Sequence, residues 1–148
     1  KKNRTSFIHS SNYSIGVNIF FRLNEGLAKQ MARCEDYNVS IVEIHHIKKL
    51  DAPSGTAIAL AEAIKNQHPG YKGWIHDSPM EENVIPVSSV REGTVPGTHT
   101  VTWDSSVDTI TIRHEAKNRK GLALGAVIAA EYIYNRKGIF TMDQVLGF

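Results

Sequence analysis

The period of hydrophobicity changes once between Asn38 and His68, and that change limits the fold more than any other feature of the chain. From Asn38 to Ile44 the residues alternate and are rich in β-branched side chains (Val39, Ile41, Val42, Ile44), which is the pattern of a strand. From Ala57 onward Ile58, Leu60, Ala61 and Ile64 supply a buried helical face until His68-Pro69-Gly70 ends the run. Ser54 stands where a helix cap belongs. A strand therefore hands over to a helix within Glu43–Ala57, and the handover carries His45, His46, Lys48 and Lys49, then Pro53-Ser54-Gly55-Thr56. The first N–H groups of a helix lack intrahelical acceptors and lie at the positive end of its dipole, so they attract carboxylate or phosphate. The expected chemistry is a site for a small anionic molecule.

Neighbours in a strand face opposite ways. If the strand persists through His46, then His45 and His46 have different jobs; otherwise it ends between them. Neither case gives a shared metal, and no His-x-x-x-His spacing occurs among the seven histidines, so no metal is expected. Ser54 is not expected to be a hydrolytic nucleophile, because there is no Gly-x-Ser-x-Gly elbow and a capping serine spends its oxygen on backbone amides. Taken alone, His45 also fits a hydrogen-bonded structural histidine, and Lys49 an ordinary surface lysine.

Composition narrows the class. A chain of 148 residues, 41% hydrophobic and 22% charged, suits one soluble globular unit with a core. A net charge of +2, with Lys and Arg spread along the chain, does not point to nucleic acid. Cys34 is alone, so no internal disulfide forms. The apolar run Leu122 to Ala130 stops at Glu131, short of the ~18 residues a membrane span needs, and the start shows no secretory pattern.

The periodicities give an α+β module. Ile15 to Arg33 reads as an amphipathic helix on Val17, Phe20, Phe21, Leu23, Leu27 and Met31. Tyr71 to Glu82 reads as a loop. Strands are expected at Ile85–Arg91, Thr98–Asp104 and Thr109–His114, the last two as a hairpin across Ser105-Ser106. With the strand at Asn38–Ile44 this makes a mixed sheet of about four strands, with helices packed on one face. His99, Val101 and Trp103 share one side of their strand and Thr98, Thr100 and Thr102 the other, a threonine face either solvated or paired with another subunit. The final helix, Gly121 to Asn135, is apolar on almost every side and wants cover all round, so an oligomer contact is expected there.

The run His45-His46-x-x-Lys49-x-Asp51-Ala52-Pro53-Ser54-Gly55-Thr56-Ala57 resembles the signature of the dihydrodipicolinate reductases of lysine biosynthesis. Ser11 to Asn18 resembles that family's entry into its second domain. Arg91-Glu92-Gly93 with Pro96 to Val101 resembles its sheet, and His114-Glu115-Ala116-x-x-Arg119 with Gly125-Ala126 its last crossover. The resemblance implies that His45 gives a proton to substrate carbon and that Lys49 stabilises charge on the ring nitrogen. His46, Ser54, Gly55 and Thr56 would hold a substrate carboxylate, and Asn12, Tyr13 and Arg119 would adjoin the cofactor. It implies NADH or NADPH as reductant, a dicarboxylate made from 4-hydroxy-tetrahydrodipicolinate as substrate, a tetramer built through the sheets, and a cytoplasmic setting. Leu122 departs from the aromatic residue many members carry.

The family's Gly-x-Gly-x-x-Gly nucleotide turn does not occur, and the chain begins with Lys1. A C-terminal fragment, inactive alone and without bound cofactor, is therefore expected: residues 1–12 as linker, 13–118 as substrate-binding and oligomerisation domain, 119–148 as a helical return to the nucleotide domain. The competing expectations are a non-catalytic carboxylate-binding or oligomerisation module, and the substrate domain of a sugar or aldehyde dehydrogenase.

Overall fold

The computed structural model describes residues 5–79 and 81–148. Residues 1–4 of the expected linker and residue 80 of the expected loop lie outside the described residues. In chain order the elements are β1 (Ser6–Ile8), α1 (Ile15–Met31), β2 (Asn38–His45), α2 (Gly55–Gln67), β3 (Gly73–His76), β4 (Val84–Arg91), β5 (Thr98–Asp104), β6 (Thr109–Glu115), α3 (Lys120–Ile133), β7 (Gly138–Phe140) and α4 (Met142–Leu146). The chain forms two compact units, one taking residues up to Ile19 with Asn118–Phe148, the other Phe20–Lys117.

The larger unit is a five-stranded mixed sheet in the order β3-β4-β2-β5-β6. β3, β4 and β2 run parallel, while β5 and β6 are antiparallel to their neighbours. Alternation in β2 buries Val39, Ile41, Glu43 and His45 on one side. Against that side pack Phe20, Ala28 and Met31 of α1 and Ala57, Leu60, Ala61 and Ile64 of α2, with Ile85, Val87, Val101 and Trp103 completing the core. Both helices thus cover one face, as the period change requires.

Two expectations need correction. Within the expected loop Tyr71–Glu82, Gly73–His76 forms edge strand β3, paired in register with Val84–Val87. Its four residues are too few to show a period, and the indole of Trp74, whose Nε1–H donates to Glu62 at 2.9 Å, ties it to α2. The β5–β6 connection is longer than two residues: Asp104 pairs with Thr109, and the Ser105 amide donates to the Asp108 carbonyl at 3.0 Å.

In the smaller unit β1 and β7 pair in parallel. Thr141 caps α4 through a reciprocal capping box with Gln144, and Gly147 closes it at φ 77° in the left-handed region. On α3 only Gly125 and Ala129 are buried, and a Cβ on Gly125 would fall 1.8 Å from the Tyr13 carbonyl oxygen, so glycine alone fits that contact. Leu122, Leu124 and Val127 are exposed. Small residues, not the large apolar ones, thus make the intrachain contact of this helix, and its large apolar side chains are left to the cover expected from outside the chain.

Candidate active site

Sheet register assembles the site. The inner face of β2 is apolar at Val39 and Ile41 and turns polar at Glu43 and His45, where the strand reaches its carboxyl end. Glu43 lies opposite His99 of β5 and Ser89 of β4, and His45 opposite Arg91 of β4. Five polar side chains from three strands thereby meet where the parallel strands end, the usual place for a ligand crevice in such sheets. The strand stops at His45, so His46 is the first residue of the turn.

Glu43 is fully buried and its carboxylate is saturated with donors. The Ser54 N–H donates to both oxygens at 3.1 Å, the Ser89 hydroxyl to Oε1 at 2.8 Å, and the Arg91 guanidinium to Oε1 at 3.1 Å. His99 Nε2 lies 3.6 Å from Oε2, an electrostatic contact longer than a hydrogen bond. Burial pushes the carboxyl up, but the nearby His99 ring and the hydrogen bonds from Ser54 and Ser89 outweigh it and hold the group well below the usual carboxylate range.

His45 is 7% exposed. Its Nδ1 is buried without a hydrogen-bond partner among the described residues, 3.5 Å from Glu43 Oε2, and its ring meets that of His99 edge-on with centroids 5.1 Å apart. Gly97, at φ 155°, lies against the other edge: a Cβ there would sit 3.0 Å from His45 Nε2. Burial pushes the imidazole down to about 4; Glu43 raises it, and His99, Lys49 and Arg91 lower it further.

The turn is tied back to this cluster. Arg91 donates to the carbonyl of Asp51 at 2.8 Å and to that of Lys49 at 3.4 Å while holding Glu43. Lys49 is mostly buried and its ammonium grips both carboxylate oxygens of Asp51 at 2.7 Å, which lowers the Asp51 carboxyl. The Ala52–Pro53 peptide is cis. Ser54 caps α2: its hydroxyl accepts from the Ala57 amide at 3.2 Å and meets His99 Nε2 at 3.1 Å. The Ser54 side chain is thus engaged within the protein, Thr56 is buried, and Gly55 is exposed at the first turn of the helix. The structure brings His45, Lys49, Ser54, Gly55 and Thr56 into one region, with half-buried His46 at its edge.

Asn12, Tyr13 and Arg119 belong to the smaller unit. Asn12 Oδ1 accepts from the Ser14 amide at 2.9 Å, the Asn12 carbonyl accepts from Asn18 Nδ2 at 2.9 Å, and the Tyr13 hydroxyl donates to the Ile8 carbonyl at 3.1 Å. Arg119 is the N-cap residue of α3 and caps nothing with its side chain.

Glu43, His45 and His99 could each offer an atom to one metal ion. The donors already filling Glu43 include a guanidinium, whose charge would oppose a cation there, so the cluster fits a carboxylate–imidazole network better. A cavity of about 530 Å³ lies at the opposite ends of β2 and β4, among Tyr37, Asn38, His68, Tyr71, Val84 and Pro86, and includes none of the signature residues.

Sequence reasoning passed over Glu43 as a functional residue, and with it Arg91 and His99. Its signal was present: a carboxylate at an inward position of a strand, two residues before a histidine, is buried by the alternation itself.

Comparison with known proteins agrees with the signature. The family model described as dihydrodipicolinate reductase, C-terminus, matches residues 16–146. The chain is 56% identical over 146 residues to a 4-hydroxy-tetrahydrodipicolinate reductase of Christiangramia forsetii, covering 99% of this chain and 61% of that protein. It is 41% identical to one of Methanococcoides burtonii, covering 99% and 56%. Among solved structures, the dipicolinate-bound dihydrodipicolinate reductase of Paenisporosarcina sp. TG-14 superposes with a TM-score of 0.72 at 26% identity, over 94% of this chain and 54% of that one. The chain thus spans about six-tenths or less of the length of these relatives.

Proposed function

This chain belongs to the dihydrodipicolinate reductase family, matching its C-terminus, and from that membership we propose that it binds the dicarboxylate substrate in NAD(P)H-dependent reduction of 4-hydroxy-tetrahydrodipicolinate to tetrahydrodipicolinate. The observation that carries the proposal is the convergence of His45, Lys49 and the start of α2 at the carboxyl end of β2. A dianion leaving water needs cations and N–H donors to offset its lost hydration. The exposed turn at Gly55, the Thr56 amide, His46 and the Lys49 ammonium, released from Asp51, supply them at one carboxylate.

His45 is the proposed proton donor. Alone it is neutral at neutral pH, since burial holds it near 4; a doubly negative ligand beside the ring would raise its proton affinity and load it for transfer. A nicotinamide, when bound, would supply the hydride. Asn12, Tyr13 and Arg119 are the residues proposed to adjoin it; the internal hydrogen bonds of Asn12 and Tyr13 suit a fixed hinge more than side chains reaching for a ligand. Residues 13–118 are the proposed substrate-binding and self-associating part, the outer sheet face with exposed Val42 and Val90 being the surface for assembly into a tetramer. No described helix is long and apolar enough to cross a membrane; a cytoplasmic setting is proposed from the family membership alone.

Calorimetric titration with pyridine-2,6-dicarboxylate tests the proposal. Binding to the chain is expected, weakened on the order of tenfold or more by His46→Ala or Lys49→Ala. Absence of binding, or binding indifferent to both substitutions, contradicts it. The burial of His45 favours a second function, a carboxylate-binding module without turnover. That alternative predicts that His45→Gln leaves the pH dependence of binding unchanged, whereas a proton-loading His45 makes wild-type binding tighten as pH falls by more than binding to His45→Gln does.

A further inference from the structure

We propose that Glu43 is the positioning residue of this site: its buried carboxylate fixes the anion-binding turn from beneath without touching the ligand. The inference rests on the dicarboxylate site proposed above. A charged carboxylate buried on the inner face of a sheet is costly unless its donors are dedicated to it, and those of Glu43 come from every piece of the site. The Ser54 amide, bound to both oxygens at 3.1 Å, sets where α2 begins. Arg91, at 3.1 Å, carries the link to the carbonyls of Lys49 and Asp51 at the far side of the turn. Ser89, at 2.8 Å, fixes the carboxylate to β4. His45, through a Nδ1 without a hydrogen-bond partner among the described residues, stands 3.5 Å away. One side chain therefore sets the helix start, the lysine turn and the imidazole together.

Such an arrangement makes the ligand-binding amides rigid before the ligand arrives, so less ordering cost falls on binding. Gln is the informative replacement. It keeps the shape of Glu43, yet turns an NH2 toward some of the Ser54, Ser89 and Arg91 donors, where it can accept nothing.

The experiment compares the wild-type chain, Glu43→Gln and Asn24→Ala. Asn24 is fully buried and donates to the Leu60 carbonyl at 3.1 Å, away from the proposed site, so it controls for general loosening of the core. Each protein is shown folded by circular dichroism at the working temperature, then titrated with pyridine-2,6-dicarboxylate. The Ser54 amide is followed by NMR without ligand. Glu43→Gln is expected to weaken binding on the order of tenfold, and to move the Ser54 amide proton upfield with faster exchange as its carboxylate acceptor is lost. Asn24→Ala is expected to lower the melting temperature while leaving the dissociation constant within about twofold of wild type. If Glu43→Gln binds as wild type does, or loses no more affinity than Asn24→Ala, the positioning role is overturned while the site stands. If the wild-type chain itself does not bind, the site is overturned and the inference with it.

Discussion

His45 and Glu43 both make the fold sensitive to acid, and in the same direction. An unfolded histidine titrates near 6.5, whereas burial holds folded His45 at about 4. Between those values the unfolded chain binds more protons, so stability rises with pH: there is no penalty above about 6.5, and one builds as pH falls toward 4. Glu43, held below the ordinary carboxylate range, contributes stability above its unfolded value and loses it as pH falls through the folded one. His114, also lowered by burial, acts with His45. The urea midpoint of the wild-type chain is therefore expected to fall between pH 7.5 and pH 4.5, with His45 accounting for roughly 2 kcal/mol. His45→Gln should flatten that slope, and equal slopes in the two proteins would remove His45 from this role. At this scale the sequence displayed the histidines, the lysine and the Ser54 cap because they are neighbours in the chain. It did not display the Glu43–Ser89–Arg91–His99 cluster, because those partners are 46, 48 and 56 positions away and only strand register brings them together.

At the scale of elements, α2 is the rigid part on which the turn depends. Ala57, Leu60, Ala61 and Ile64 are fully buried against the sheet, so Leu60→Ala should cost about 2–5 kcal/mol of stability through lost burial and a residual cavity. Urea denaturation measures it; a cost below about 1 kcal/mol would mean that α2 is not packed as described. The elements with a sustained period, α1, α2, β2, β4 and β5, were legible before any coordinates, because one buried face writes its repeat into the sequence. β3 was not, since an edge strand of four residues carries no repeat. The hairpin turns where the sequence expects but through a wider loop, because the Ser105 side chain accepts from the Val107 and Asp108 amides, a feature composition does not reveal. Helix α3 forms where its spacing predicts, and its all-round apolar composition states a demand for cover that its intrachain contact at Gly125 and Ala129 does not meet.

For the whole molecule, the chain folds as two compact units and spans about six-tenths or less of the length of the reductases it matches, and the proposed dicarboxylate grip lies in the larger unit. The fold class was readable because alternation and helical spacing follow one another in order, and the family because the signature is contiguous. What the chain does with its exposed Leu122, Leu124 and Val127 depends on surfaces that periodicity does not describe. The central claim is that a small dicarboxylate is held where β2 hands over to α2. The most direct test is a two-dimensional amide NMR titration of the chain with pyridine-2,6-dicarboxylate. Saturable shifts are predicted at His46, Lys49, Gly55 and Thr56, with Tyr37, His68 and Tyr71 around the distant cavity unmoved. Shifts confined to that cavity, or none at all, would contradict the account.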